Sequence, residues 1–196
     1  MDEKALIEAP AALEALEKRS RELNFELASE PLTGALLRAL AASKPGGRLL
    51  ELGTGTGVGT AWLLAGMDEA ARLVSVDRNL VYQSAASEAL GADKRLQLVL
   101  EDAADYIVRQ KAESFDLIFA DAMPGKYERT EDALRLVKPG GFYVIDDMVE
   151  QPNWPEGHAE KVGPLLELLA RDERFAVAPL KWATGVVVAV RKLNQG

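Results

Sequence analysis

The stretch that most limits what this chain can fold into runs from Glu51 to Gly59 and reads ELGTGTGVG. The apolar run Arg48-Leu49-Leu50 leads into it, and Thr60-Ala61-Trp62-Leu63-Leu64-Ala65 leads out of it. The segment therefore reads as strand, glycine turn, helix. Glycines at 53, 55, 57 and 59 keep the backbone free of Cβ atoms, which permits a tight turn and close approach of a ligand. The helix that follows turns its unpaired N–H groups and positive dipole end toward the same place. An anionic or strongly polar small molecule is expected against this loop. The dinucleotide fingerprint G-x-G-x-x-G/A fails in every register, because its third position falls on Val58, Thr60 or Trp62. A phosphate loop fails as well, since no Gly-Lys-Ser/Thr follows. What remains is E-x-G-x-G-x-G, with an acid on the strand just ahead of the turn. A turn that merely connects two elements gains nothing from alternating glycines.

After this turn the chain keeps a regular rhythm. Apolar runs occur at Arg48–Leu52, Arg72–Val76, Leu96–Leu100, Phe115–Ala120 and Gly141–Ile145. Helical stretches lie between them at Thr60–Ala65, Tyr82–Leu90, Ala103–Arg109 and Thr130–Val137. Alternation of this kind implies a parallel sheet covered by helices on both faces, an α/β fold. The runs are near-continuously apolar, as strands buried on both faces should be. Val162–Leu169 reads as a later helix. Phe175–Pro179 and Val186–Arg191 follow with a short connection between them, so they pair antiparallel. Ahead of the rhythm, residues 3 to about 28 read as a helix, broken near Pro10, with Leu13, Leu16, Ser20, Leu23 and Leu27 on one stripe. Leu32–Ala42 reads as a second helix, started by Pro31. No linker or repeat is visible. The chain reads as one domain, with N-terminal helices over 1–45 and a core over 46–192.

Charge narrows the partners. With 31 acids against 23 bases the net charge is −8, which argues against a nucleic-acid backbone or an anionic membrane surface. No cysteine and one histidine exclude disulfides, thiolate metal sites and a multi-histidine zinc cage. The start, Met1-Asp2-Glu3-Lys4, lacks a signal-peptide core, and no apolar run reaches the ~18 residues of a membrane span. A cytoplasmic location is the default expectation.

In an open parallel sheet, ligands bind beyond the carboxyl ends of the strands. Here those ends carry acids: Val76-Asp77, Glu101-Asp102, Ala120-Asp121 and Asp146-Asp147. One such Asp is commonly a helix cap, but acids at all of these ends gather negative charge on one rim. Asp77 lies about twenty residues past the glycine turn, where an acid accepts hydrogen bonds from ribose hydroxyls. Neighbours alternate on a strand, so Glu101 is the one to point away.

The loop E-x-G-x-G-x-G resembles the first motif of class I S-adenosylmethionine-dependent methyltransferases. That resemblance implies a Rossmann-like, doubly wound seven-stranded sheet: five parallel strands plus a C-terminal antiparallel hairpin, with N-terminal helices. It implies a cofactor site made by Glu51, Gly53, Thr54, Gly55, Gly57, Asp77, Asp102, Ala103 and Asp121, with Asp102-Ala103 beside the adenine. The stretch Phe115-Asp116-Leu117-Ile118-Phe119-Ala120-Asp121-Ala122, followed by Tyr127, resembles the bacterial and plant metal-dependent O-methyltransferases related to catechol and caffeoyl-CoA enzymes. So does Gly140-Gly141-Phe142-Tyr143-Val144-Ile145-Asp146-Asp147. In that family acids ending strands four and five hold a divalent metal, and the carry-over gives Asp121, Asp146 and Asp147. All-oxygen ligation suits Mg²⁺ or Mn²⁺.

The resemblance covers residues from about 28 to 192, and two departures stand out. The family carries a lysine three residues after the strand-four acid, as general base; here that position is Pro124, and the nearest lysine is Lys126. An insert-like loop, Gln151 to His158, follows the strand-five acids, and its Trp154 is either an acceptor wall or plain packing. The expectation is an O-methyltransferase that uses S-adenosylmethionine on a small hydroxylated acceptor, phenolic or catechol-like, with Asp121, Lys126 and His158 as catalytic candidates. Relatives are commonly dimers, so a homodimer is possible. The alternatives are a metal-independent methyltransferase acting on nitrogen or another centre, and a non-catalytic nucleotide-binding module.

Overall fold

Every apolar run named above forms a strand. The computed structural model describes residues 6–151, 154 and 156–193. Two helices come first, α1 (Leu13–Glu22) and α2 (Pro31–Ala42). The chain then alternates through β1 (Arg48–Leu52), α3 (Val58–Gly66), β2 (Arg72–Asp77), α4 (Leu80–Leu90), β3 (Leu96–Leu100), α5 (Ala103–Arg109) and β4 (Phe115–Ala120). A single turn, α6 (Met123–Lys126), and the short α7 (Thr130–Leu134) precede β5 (Val137–Ile145). Helix α8 (Ala159–Arg171) and the strands β6 (Phe175–Leu180) and β7 (Val186–Arg191) follow.

The seven strands lie in the order β3-β2-β1-β4-β5-β7-β6. Strands β1 to β5 are mutually parallel, and β7 runs antiparallel to both β5 and β6. Strand order reverses between β1 and β4, so the loops leaving these two strands part and open a crevice. Side chains alternate across the sheet. Leu50, Leu52, Ile118 and Ala120 join one buried cluster with Ile107, Leu134 and Leu169. Leu49, Leu117 and Phe119 join the other with Leu16, Leu37 and Trp62. Each such leucine contributes about 1.5–3 kcal/mol by leaving water, so both helical layers are held firmly to the sheet.

Several boundaries differ from the sequence expectation. The first helix spans Leu13–Glu22 rather than 3 to about 28: residues 6–12 are not α-helical, and the part expected over residues 3–5 lies outside the described residues. Asn24 takes the left-handed conformation (φ 51°), which closes the helix; Asn tolerates that region better than most residues. Leu27 therefore leaves the helical stripe and is 60% exposed. Helix α7 stops at Leu134 instead of Val137, because β5 starts early: Val137 pairs with Phe115, then the register shifts and Phe142 pairs with Leu117. Pro139 sits in that irregular stretch, where its missing N–H costs no ladder bond. Helix α8 extends beyond Val162–Leu169 at both ends. No described helix is long and apolar enough to cross a membrane.

Candidate active site

The glycine loop lies at the crevice. Gly53 has φ 101°, and a Cβ there would stand 2.6 Å from the carbonyl oxygen of Asp121. Only glycine lets the ends of β1 and β4 approach this closely. The N–H of Gly53 donates to Val76 O, and that of Asp121 donates to Leu52 O, so three strand ends are laced together. Above the loop, the Phe25 ring would meet a Cβ on Gly55 at 2.7 Å, and Phe25 packs on Tyr82 with ring centres 4.7 Å apart. The Ser20 and Thr56 hydroxyls share a hydrogen bond of 2.7 Å, which ties α1 to the loop.

Glu51 is fully buried beneath the loop. One carboxylate oxygen accepts from Thr60 Oγ1 and from Ser75 Oγ, each at 2.5 Å. The other, Oε1, is buried with no partner among the described residues. Burial raises the Glu51 pKa to about 7; the Ser75 and Thr60 hydrogen bonds oppose this, and the Asp77 charge adds to it. A buried carboxylate with a free oxygen at a cavity wall suits a cationic or hydrogen-donating ligand group. Ser75 also bonds Thr54 (2.7 Å), and the Gln83 amide reaches Thr54 Oγ1 at 3.3 Å and Val99 O at 3.0 Å.

Asp77 accepts from the backbone N–H of Gly55 through Oδ2 and of Asn79 through Oδ1, both at 2.8 Å. It is thus fixed at the end of β2 with lone pairs left for a ligand. Asp102 caps α5 by accepting from the Ala104 N–H at 2.8 Å, and Arg78 lies 3.4 Å from it. Glu101 points away and pairs with Arg109, as alternation requires.

Three adjoining cavities occupy the rim. The first, about 330 Å³, is walled by Phe25, Glu51, Gly55, Asp77, Lys126 and Trp154 among others. A second of about 120 Å³ shares Gly53, Asp77, Ala122 and Met123 with it and reaches Asp102 and Ala103. A third of about 140 Å³ shares Ser29, Asp121, Asp147 and Trp154 with the first and extends to Asp146 and Gln151.

The acceptor-side wall is densely charged. Asp146 is buried, and its Oδ1 accepts from Thr184 Oγ1 (2.7 Å), the Asp147 N–H (2.9 Å) and Thr33 Oγ1 (3.4 Å). Burial raises its pKa to about 6, with the Thr184 bond pulling down and the Asp147 charge pushing up. Asp121 is held well above the usual carboxylate range by burial and by the charges of Asp146 and Asp147. Asp147 takes a left-handed backbone, φ 53°. Lys126 is 4% exposed, and its Nζ donates to the Asp147 carbonyl at 3.3 Å. Burial lowers the pKa of this ammonium, against the upward pull of Asp121, Asp147 and Asp146. Beside it, His158 Nε2 lies 3.1 Å from Tyr127 Oη, and the His158 and Trp154 rings pack with centres 4.4 Å apart. Burial and the charges of Lys126 and Lys161 hold His158 below its ordinary pKa.

Comparison with known proteins agrees with this geometry. The family profile described as a methyltransferase domain matches residues 50–148, which contain the glycine loop and all four acid-bearing strand ends. A Mycobacterium avium (strain 104) protein carrying an O-methyltransferase name is 30% identical over 94% of this chain and 89% of its own length. The chain belongs to the class I S-adenosylmethionine-dependent O-methyltransferases. The crystal structure of the Streptomyces achromogenes O-methyltransferase TomG, which is involved in tomaymycin synthesis and was solved with S-adenosylmethionine, superimposes with a TM-score of 0.82 at 25% identity, covering 97% of this chain and 93% of that one. A Bacillus cereus O-methyltransferase solved with S-adenosylhomocysteine shares the fold, with a TM-score of 0.83 at 24% identity over 96% of this chain and 94% of that one.

In this methyltransferase the sequence-named cofactor residues Glu51, Gly53, Thr54, Gly55 and Asp77 line the main cavity, and Asp102 and Ala103 line the adjoining one. Gly57 caps α3 in the left-handed conformation and shapes the turn. The unpartnered Glu51 oxygen and the glycine cradle fit the amino-acid end of the cofactor. The divalent metal is a different matter. Among the described residues no group of three or more His, Cys, Asp or Glu stands at metal-holding spacing. Asp146 spends one oxygen on three protein donors, and the same acids face the buried amine of Lys126. The donor set as built does not fit a three-carboxylate cation site. Sequence reasoning missed Ser75, Thr60, Gln83 and Phe25. A serine inside the apolar run of β2, in register with Glu51, is the signal that pointed to the first of these.

Proposed function

We propose that this chain methylates a hydroxyl group of a small phenolic acceptor, with Lys126 as the group that takes the hydroxyl proton. The observation that carries the reading is the place of Lys126: a nearly buried amine on the wall of the cofactor cavity, next to Asp147 and the Trp154–His158 ring pair. Bound S-adenosylmethionine supplies an electrophilic methyl group on a sulfonium. Glu51, Asp77 and the glycine loop hold the cofactor from the β1–β2 side, while Asp102 and Ala103 line the space for its base. The acceptor oxygen attacks in line from the β4–β5 side. A C–O bond forms as the methyl–sulfur bond breaks, and the hydroxyl proton passes to Lys126 Nζ in its neutral amine form, which burial favours.

The chemistry selects the acceptor. A phenol near pKa 10 is matched to a lysine amine, whose ordinary value is about 10.4 and which burial lowers here. An aliphatic alcohol is far too weak an acid for that partner. The flat Trp154 and His158 rings suit an aromatic acceptor by stacking. His158 has its Nε2 engaged by Tyr127, which supports a wall role rather than that of the base. No step in this reading passes through a divalent cation; Lys126 carries positive charge beside the phenolate once it has taken the proton. The test is a panel of phenols, aliphatic alcohols and aromatic amines incubated with S-adenosylmethionine, with products weighed by mass spectrometry. Methyl ethers from phenols alone are expected, and methylamines without ethers would overturn the reading.

A further inference from the structure

The lysine of this site stands where the chain has no business delivering one. Lys126 comes five residues after Asp121, at the end of a turn whose middle residues are not helical: Pro124 has ψ 134° and Gly125 has φ 90°. A regular helix from Met123 would not give this turn its shape. Something must hold it, and two side chains do. Tyr143, fully buried on β5, donates its hydroxyl to the Gly125 carbonyl at 2.5 Å. Thr130, at the start of α7, donates its hydroxyl to the Lys126 carbonyl at 3.0 Å. The Gly125 N–H completes the frame by donating to Glu128 O at 2.7 Å. The carbonyls on both sides of the Lys126 Cα are therefore gripped, which fixes the direction of its Cα–Cβ bond. Gly125 is required for the same reason: a Cβ there would meet Leu52 Cδ1 at 2.4 Å, in a left-handed backbone that other residues resist.

We propose that Tyr143 and Thr130 are positioning residues that aim Lys126 into the main cavity, which Asp121, Asp147 and Trp154 also line. The inference rests on the reading of Lys126 as the proton acceptor. The Tyr143 ring packs in the core with Ile145, Leu134 and Leu52, and Phe would serve there equally well. The hydroxyl is what a phenylalanine lacks, and its partner in the structure is the Gly125 carbonyl. A base displaced by about 1 Å loses on the order of 10²-fold in rate, because proton transfer needs contact at hydrogen-bond distance.

Tyr143→Phe removes the donor and keeps the ring. The expected result is a fall in kcat of about tenfold or more, with S-adenosylhomocysteine affinity and cofactor KM changed less than about twofold. In a Lys126→Ala background the same change should cost nothing further, because no lysine remains to be aimed. Thr130→Val should repeat the pattern and Thr130→Ser should restore turnover, which keeps the test open if Tyr143→Phe fails to fold. Wild-type kcat in both Tyr143→Phe and Thr130→Val would overturn the inference. So would an equal loss on top of Lys126→Ala, or a loss of cofactor affinity in step with kcat, since either marks a merely structural role. If Lys126→Ala itself turns over normally, the base assignment falls first, which separates the two failures.

Discussion

The two halves of the rim are built on opposite terms. Around β1 and β2 almost every polar group already has its partner: Asp77 takes two backbone N–H groups, Thr54 and Ser75 bond each other, and Glu51 is met by Ser75 and Thr60. Around β4 and β5 ionisable groups crowd without pairing. Asp121 and Asp146 are both pushed up, Lys126 is pushed down, and no salt bridge within 4.0 Å joins Lys126 to any acid among the described residues. A half made to bind can be preorganised and electrically quiet. A half made to move a proton needs groups whose charge states lie close in energy, and burial without pairing achieves that.

The sharpest way to break this contrast is to remove Lys126. Lys126→Ala should cut turnover by about 10²–10⁴-fold, the span of a lost general base, with S-adenosylhomocysteine affinity unchanged by calorimetry. Equal losses in kcat and affinity would mean the halves are not separate. Next in size is the binding half. Gly55→Val forces a branched residue into φ 51° against the Phe25 ring, so cofactor affinity should fall by at least the 1–3 kcal/mol of backbone strain. Asp77→Ala should follow at about 1–3 kcal/mol, the cost of a lost charged hydrogen bond, and should also loosen the Gly55 N–H. Retention of wild-type affinity in both variants, read by calorimetry, would remove the loop from the cofactor site.

A pH experiment probes the one tense group in the quiet half. Glu51 has a folded pKa near 7 against an ordinary 4.5. The folded state thus binds its proton more tightly than the unfolded chain. The contribution favours folding at low pH and is lost as pH rises from the ordinary value through the folded one, to a total on the order of 3 kcal/mol. Thermal unfolding of the cofactor-free protein should show Glu51→Gln level with wild type near pH 4.5 and more stable above the folded value. A constant difference across that range would contradict the buried-carboxyl account. The smallest effect is expected at Asp102. Asp102→Ala should cost about 1 kcal/mol of stability through the lost α5 cap, seen as a lower Tm, and Asp102→Asn should recover it.

The quiet half was the legible half. Alternating glycines, an acid ahead of them and an acid at the end of β2 are local signals, and each sits where its position in the chain placed it. The parallel and antiparallel directions of the strands followed from the helix–strand rhythm and the short connection before β7. The tense half was harder to read because its geometry depends on exceptions. Lys126 is two positions late in sequence and reaches the site only through the non-helical Pro124 and the left-handed Gly125. Three acids at strand ends suggested a metal, yet whether they converge depends on the left-handed turn at Asp147 and on donors as remote as Thr33 and Thr184. Likewise the left-handed Asn24 took Leu27 off the helical stripe and placed it with Phe25 on the cavity wall, which no periodicity announces.

In the proposed function Lys126, and not a cation held by Asp121, Asp146 and Asp147, meets the acceptor hydroxyl. The most direct measurement is the rate of methyl transfer to a phenol by the metal-stripped enzyme in EDTA, repeated with saturating Mg²⁺. The account predicts the same turnover in both, within about twofold, and its collapse in Lys126→Ala under both conditions. Activity that vanishes in EDTA and returns with Mg²⁺ would contradict it and hand the proton and charge chemistry to a metal.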